Sequence, residues 1–195
     1  MKNDNTFGLV VAGVGGQGAV TIAQLVLGAA WMSGLHVLQS EVHGMSQRGG
    51  EVSAHIMISK KKVTSPTIEK GTGDLLIGLE PLEALRHLVY LKKGAPVVST
   101  TTAIVNMDSY PEVDRVNKLL SGIDGVKMID SESLSKEMRF PQAGTIALLG
   151  AAATYLPITD KIWEKVIQER FASKGEKVIE KNMRAFMTGK ELILQ

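Results

Sequence analysis

The segment at residues 40–50, SEVHGMSQRGG, holds the densest group of side chains that could do chemistry. Arg48 can form two parallel hydrogen bonds to a carboxylate or phosphate, and the backbone N–H groups of the two glycines after it can add donors. His43 can donate a hydrogen bond to a carbonyl or carry a proton. The alternative is a structural loop in which Glu41 pairs with Arg48, and physical reasoning alone leaves both interpretations open. The candidate ligand-binding or cleft-lining residues of this loop are Glu41, His43, Gly44, Met45, Gln47, Arg48, Gly49 and Gly50.

An earlier glycine-rich turn, GVGGQG at residues 13–18, follows an apolar run and opens a predicted helix. Glycines there permit a tight turn and let backbone N–H groups approach an anion at the helix N-terminus. Gln17 could donate to an anion or a carbonyl. Glu41 follows at a spacing that would allow it to hold a ribose, as in a free-standing NAD(P)-dependent dehydrogenase. A turn that serves only helix–strand packing is the alternative. The candidate site residues here are Gly13, Gly15, Gly16, Gln17 and Gly18.

Other types of reactive site are poorly supported. The chain contains no cysteine, which excludes disulfides, thiolate zinc sites and cysteine-bound iron–sulfur clusters on this polypeptide. The histidines His36, His55 and His87 do not lie near acidic residues at metal-binding spacing, so we expect no metal site. Glu80 and Glu83 fall at the start of a predicted helix, where electrostatics of the helix end explains them better than catalysis does.

Apolar strands alternate with helices along the chain. The predicted strands are Phe7–Val14, His36–Val42, Val52–Ser59, Asp74–Leu79, Ala95–Ser99 and Val126–Ile129, and Val63–Ile68 could pair back as an edge strand. Predicted helices cover residues 17–33, the segment after Pro81, a short stretch ending near Leu120, Ala143–Tyr155 and most of the last thirty-odd residues. This order predicts one domain over residues 1–195, a three-layer α/β fold of the Rossmann-like, doubly wound type. Its sheet should be mainly parallel, with helices on both faces and ligand crevices at the strand ends.

Charge and hydropathy limit the partners. The 22 basic and 20 acidic side chains give a net charge of +2, which indicates neither nucleic acid nor an anionic membrane surface as a partner. The uncharged stretch at residues 5–40 is interrupted by glycines and suits a buried strand, turn and helix better than a signal peptide or membrane span. We therefore expect a soluble, cytoplasmic protein.

Several segments together resemble one enzyme family. GVGGQG and SEVHGMSQRGGEVSAHI, with DLLIGLEPLEALR at residues 74–86 and EKNMRAFMTG at residues 180–189, resemble the gamma-type domain of pyruvate and 2-oxoacid ferredoxin oxidoreductases. The similarity extends over nearly the whole chain and is strongest to the beta subunits of the indolepyruvate type. The two glycine-bearing motifs are together far more specific than either alone.

The resemblance implies a division of labour between subunits. In such enzymes thiamine diphosphate attacks the 2-oxo group, carbon dioxide leaves, electrons pass through iron–sulfur clusters to ferredoxin, and coenzyme A takes up the acyl group. The larger partner subunit would carry the thiamine diphosphate and the clusters, and through it ferredoxin would be reduced. This chain would hold no cofactor, be inactive alone, and line part of the substrate or coenzyme A cleft. A homodimer is possible when the chain is isolated, and a non-catalytic, partner-binding relative is an alternative role.

One position departs from the family pattern. Thr145 stands where the family often has asparagine, just before the apolar LLGA stretch, and threonine cannot offer both an amide donor and a carbonyl acceptor. The choice of 2-oxo acid is therefore left open, and Thr145 joins the candidate cleft-lining residues. Asn182 matches a later family asparagine that we expect to stabilise the C-terminal helix rather than contact substrate.

Overall fold

The computed structural model describes residues 6–43, with the side chain of residue 43 excepted, and residues 49–194. A six-stranded sheet forms its centre, in the order β2-β3-β1-β4-β5-β6. β1, β4, β5 and β6 are parallel, whereas β3 runs antiparallel to both β1 and β2. The strands are β1 Thr6–Val14, β2 His36–His43, β3 Glu51–Ser59, β4 Leu75–Gly78, β5 Val97–Thr100 and β6 Val126–Ile129.

Helices cover both faces of this sheet, which confirms the predicted α/β class. They are α1 Ala19–Met32, α2 Pro81–His87, α3 Val113–Ser121, α4 Ser131–Glu137, α5 Ala143–Ala153, α6 Asp160–Phe171 and α7 Glu176–Leu194, with short 3₁₀ turns at Leu88–Tyr90 and Ala172–Lys174. Among the described residues, no helix combines the length and the hydrophobicity that a membrane span requires.

The central strand β1 contributes to a hydrophobic core on each face, because successive side chains of a strand point in opposite directions. Leu9 and Val11 belong to the larger core, which α1, α5, α6 and α7 complete. Val10 and Ala12 belong to the smaller core, to which α2 and α3 contribute. All four side chains are fully buried. The uniformly apolar sequence of β1 is therefore explained by its two-sided cover.

One predicted feature of the chain was wrong, and one helix was missed. Val63–Ile68 is not a strand; instead, the backbone N–H of the buried Ile68 donates to Nδ1 of His55 at 3.2 Å. Because Pro66 lacks an N–H group, it could not donate a hydrogen bond to a neighbouring strand. The short helix α4 was not predicted, because it presents no apolar periodicity.

The edge strand β2 has one covered and one exposed face. Val37 packs against the larger core on the side of α1. Leu38 and Val42 point to the opposite face, where they are 36% and 58% exposed. The indole of Trp31, at the end of α1, is also exposed, whereas Trp163 is fully buried.

Candidate functional site

The side chain of Gln17 braces the first glycine turn. Its Oε1 accepts a hydrogen bond from the backbone N–H of Val14 at 2.7 Å, and its Nε2 donates to the carbonyl of Leu79 at 2.6 Å. These bonds tie the start of the turn to the residue that follows β4. Gln17 therefore donates to a carbonyl, but this carbonyl belongs to the protein backbone and not to a ligand.

Three glycines give this turn its shape. A Cβ on Gly13 would lie 2.9 Å from both the Gln17 Oε1 atom and the Leu79 Cβ atom, which is too close for any side chain. Gly16 and Gly18 have φ angles of 102° and 94°, which L side chains rarely adopt. Gly18 caps α1 without a side-chain bond, and the first N–H groups of a helix have no intrahelical acceptor. The turn thus presents backbone N–H donors at a helix N-terminus that has no acidic side chain in its first turn.

The two glycine-bearing connections meet at one edge of the sheet. The N–H of Gly15 donates to the carbonyl of Gly50 at 2.9 Å, and Val14 pairs with Glu51 in the antiparallel register of β1 and β3. Gly49 has a φ of 78°, and its carbonyl accepts a hydrogen bond from the side-chain amide of Asn106. The C-terminal end of the second loop is therefore held against the first turn.

Part of the second loop lies outside the described residues. This part includes the predicted site residues Gly44, Met45, Gln47 and Arg48 and the side chain of His43. Glu41 lies on β2, where its carboxylate accepts a hydrogen bond from Gln39. Strand β3 separates β2 from the glycine turn, whereas a nicotinamide-binding fold places the acidic residue on the strand directly beside β1.

A cavity of about 490 Å³ opens beside the glycine turn, between the start of α1, α5 and α7. Thr145 lines it, and its hydroxyl donates to the carbonyl of Gln17 at 3.1 Å. Asn182 also lines it; its Nδ2 donates to the carbonyl of Val178 at 2.7 Å, while its buried Oδ1 has no hydrogen-bond partner among the described residues. Sequence reasoning did not identify Lys174 and Phe140 as lining residues, since no motif connects them to the turn.

A second cavity, of about 450 Å³, lies on the β3 side of the same turn. Gly15, Gly16 and Val20 line it together with Val52 of β3. Gly16 and Gly18 contribute to both cavities. The turn therefore separates two adjoining spaces, one of which is lined by Val52, two residues after the second loop.

A polar cluster surrounds the start of α2. Glu80 is buried, accepts a hydrogen bond from the N–H of Glu83 at 2.8 Å and receives one from the hydroxyl of Tyr110. This confirms Glu80 as a helix cap. Burial raises the pKa of the Glu83 carboxyl, although Arg86, whose Nη1 lies 2.7 Å from Oε1 of Glu83, opposes that shift. Burial also raises the pKa of the Tyr110 hydroxyl, and its bond to Glu80 adds to the effect.

His87 closes this cluster. Its Nε2 lies 3.4 Å from Oε1 of Glu51, and donor atoms of Glu51, Glu83 and His87 all lie within 4.8 Å of one another. The prediction that His87 does not cluster with acidic residues at metal-binding spacing was therefore wrong. The missed signal was the spacing of Glu83 and His87, four residues apart on one face of a helix.

Comparison with known proteins agrees with this architecture. A family model described as pyruvate ferredoxin/flavodoxin oxidoreductase matches residues 8–192. The indolepyruvate oxidoreductase subunit IorB of Archaeoglobus fulgidus is 33% identical over 190 residues, which cover 93% of this chain and 92% of that protein. The corresponding subunit of Thermococcus kodakarensis is 34% identical over 193 residues, 94% of each protein.

Solved structures share the fold. The gamma subunit of a keto/oxoacid ferredoxin oxidoreductase from Geobacter sulfurreducens aligns with a TM-score of 0.72 at 22% identity, over 96% of this chain and 98% of that one. A 2-oxoglutarate:ferredoxin oxidoreductase from Magnetococcus marinus, solved with 2-oxoglutarate, coenzyme A and succinyl-CoA bound, aligns with a TM-score of 0.77 at 22% identity, over 98% of this chain and 32% of that one. With the family match over almost the full length and relatives above 30% identity, the chain belongs to the pyruvate ferredoxin/flavodoxin oxidoreductase family.

Proposed function

We propose that this chain is the subunit without redox centres of a thiamine-diphosphate-dependent 2-oxoacid:ferredoxin oxidoreductase, acting on indolepyruvate or a related aryl pyruvate. In this role it completes the cleft for the substrate or coenzyme A, and it is inactive alone. The observation that carries the proposal is the hydrogen bond from Gly15 to Gly50, which joins the two glycine-bearing connections beside two adjoining cavities.

The chemistry of the turn suits an anionic ligand such as the phosphates of coenzyme A. The N-terminus of α1 offers backbone donors and the positive end of a helix dipole, with no acidic side chain in its first turn. Lys174 adds a cationic side chain to the larger cavity. The primary anchor of a ligand would therefore be the backbone, with Lys174 as a second point of attraction.

Redox cofactors belong to the partner in this proposal. A chain without cysteine cannot supply thiolate ligands to an iron–sulfur cluster. The large subunit would hold the thiamine diphosphate and the clusters and would pass electrons to ferredoxin. The chain's own residues bind, orient and shield the substrate, and the complex works in the cytoplasm.

The dehydrogenase alternative has less support. It needs Glu41 to reach a ribose held at the glycine turn, and β3 lies between the two. A saturable, micromolar affinity of the isolated chain for NADH would nevertheless favour that alternative.

Reconstitution tests the proposal. The chain is purified alone, mixed with the cysteine-rich large subunit, and assayed for ferredoxin reduction with aryl and alkyl 2-oxo acids and coenzyme A. We expect reduction only in the mixture, with aryl substrates preferred. Full activity of the large subunit alone, or the absence of any complex between the two chains, would overturn the proposal and favour a non-catalytic role.

A further inference from the structure

We propose that Glu51, Glu83 and His87 form a binding site for one divalent transition-metal ion of the zinc class. The site joins the first residue of β3 to two successive turns of α2. Its donor set of one imidazole and two carboxylates is of the type that zinc accepts, and three protein ligands leave a position open for water or another ligand.

The spacing of the three groups suits one ion. Their donor atoms lie within 4.8 Å of one another, so an ion at the centre of the triangle would be no more than about 2.8 Å from each. Zinc–oxygen and zinc–nitrogen bonds measure about 2.0–2.2 Å. Small side-chain rotations would close the difference, since Glu51 is 46% exposed and can move.

The hydrogen bonding of His87 prepares its ring for a metal. Nδ1 lies 2.9 Å from the backbone carbonyl of Glu83, which can only accept, so Nδ1 must carry the proton. In the neutral ring the lone pair is then on Nε2, the atom that faces Glu51. A metal-binding histidine usually donates a hydrogen bond from its other ring nitrogen to a carbonyl or carboxylate, as His87 does here.

Glu83 supplies an independent indication. Its side chain is only 4% exposed, and its Oε1 is engaged by Arg86. The other oxygen, Oε2, is buried and has no hydrogen-bond partner within the described ranges. A hydrogen bond between Nε2 of His87 and Glu51 would still leave Oε2 of Glu83 without a partner. A divalent ion can bind all three groups.

The position of the site gives it a structural consequence. Glu51 directly follows Gly50, whose carbonyl receives the hydrogen bond from Gly15. An ion on Glu51 would therefore fix the end of the second loop to α2, on the opposite side of the sheet from α1. The inference does not depend on the proposed function, because binding can be measured without substrate or partner.

Calorimetry on the full chain tests the site. The protein, free of any affinity tag and treated with a chelator, is titrated with Zn²⁺ at neutral pH. We expect one saturable site per chain, and we expect Glu51→Gln to weaken it by at least about tenfold. Glu51 is half exposed, so this isosteric change should leave folding intact. The control is Glu137→Gln, an exposed glutamate outside the cluster, with affinity unchanged.

A second variant and a second readout keep the test decisive. His87→Gln should abolish the site, and bound Co²⁺ should give a visible absorption band in the wild-type chain that is lost in Glu51→Gln. Absence of a saturable site, or an affinity and a Co²⁺ spectrum unaffected by Glu51→Gln, would overturn the inference even if His87→Gln does not fold.

Discussion

At the scale of single residues, Gln17 and Glu51 each lie against residues that are distant in the sequence. Gln17 was recognised as an amide able to donate at the glycine turn, but its partners, Val14 and Leu79, depend on where β4 ends relative to β1. Glu51 was not singled out from the sequence, and its neighbours Glu83 and His87 come from an element about thirty residues later. Such long-range contacts leave no local pattern in a sequence.

Gln17 should contribute to stability as well as to the shape of the turn. Gln17→Ala leaves the N–H of Val14 and the carbonyl of Leu79 without these partners, which should lower the free energy of unfolding by about 1–3 kcal/mol. Urea unfolding of the isolated chain measures the change. The matched control is Gln168→Ala, an exposed glutamine of α6, which should change stability by less than about 0.5 kcal/mol. Equal effects of the two variants would show that the two bonds contribute nothing.

Thr145 should act through its hydroxyl group. Thr145→Val keeps the shape of the side chain but removes the donor to the carbonyl of Gln17, so we expect a loss of about 1 kcal/mol in the free energy of unfolding. In the reconstituted enzyme, Thr145→Asn should alter the relative kcat/KM for aryl and alkyl 2-oxo acids, because residue 145 lines the larger cavity. An unchanged ratio would place the substrate elsewhere.

At the scale of elements, long buried segments and short exposed segments differed in how well they were predicted. α5 was predicted with its observed start, because it is marked by a clear apolar run, and β6 was predicted with its observed bounds although only Ile129 of its four residues is buried. The direction of β3 was not predicted, since a hydrophobic period of two is the same in parallel and antiparallel strands. α4 was missed because none of its residues is buried; its only sequence signal is the cap formed by Asp130 and Ser133.

The Asp130 cap stabilises α4 to an extent that depends on pH. The backbone N–H of Ser133 donates to Oδ1 of Asp130 at 2.9 Å, and its hydroxyl donates to Oδ2 at 2.7 Å. These two bonds hold the pKa of the Asp130 carboxyl below its ordinary value, and the backbone bond has the larger effect. Because the folded pKa is depressed, the stabilisation is present above the ordinary pKa of about 3.9 and is lost as the pH falls through the folded value.

Asp130→Ala should therefore destabilise the protein by about 0.5–1 kcal/mol at neutral pH, a modest loss because the cap is exposed. The difference from the wild-type chain should shrink as the pH is lowered below the ordinary aspartate pKa, as followed by urea unfolding at several pH values. Asp108→Ala, an exposed aspartate of a loop, serves as the control. A difference that stays constant with pH would contradict this account of the cap.

At the scale of the whole molecule, the uncovered face of β2 fits a chain that works inside a complex. Apolar residues on an exposed edge strand favour association with another polypeptide. Leu38 and Val42 are 36% and 58% exposed on that face, and we expect the large subunit to cover them. The sequence predicted the strand, but only the order of the sheet showed that β2 is its edge.

Val42→Lys should weaken binding to the large subunit by at least about tenfold while leaving the stability of the isolated chain unchanged, because Val42 buries little surface in the chain itself. Surface plasmon resonance with immobilised large subunit measures the affinity. Val105→Lys, at a similarly exposed valine of a loop, is the control. If both variants bind the large subunit as the wild-type chain does, the interface lies on another surface. If Val42→Lys instead weakens self-association of the isolated chain, this face forms a homodimer.

In the proposed function, the turn at residues 13–18 and the loop at residues 40–50 together complete the cleft of a two-subunit enzyme. Arg48 tests it most directly, because Gly50, two residues after it, accepts a hydrogen bond from Gly15 of the turn. The measurement is the rate of ferredoxin reduction by the reconstituted enzyme carrying Arg48→Ala, alongside the affinity between the subunits. We predict that turnover falls by at least about tenfold, as for loss of a charged hydrogen bond to substrate, with unchanged subunit affinity. Wild-type kinetics with Arg48→Ala would contradict the claim and leave Arg48 a structural residue.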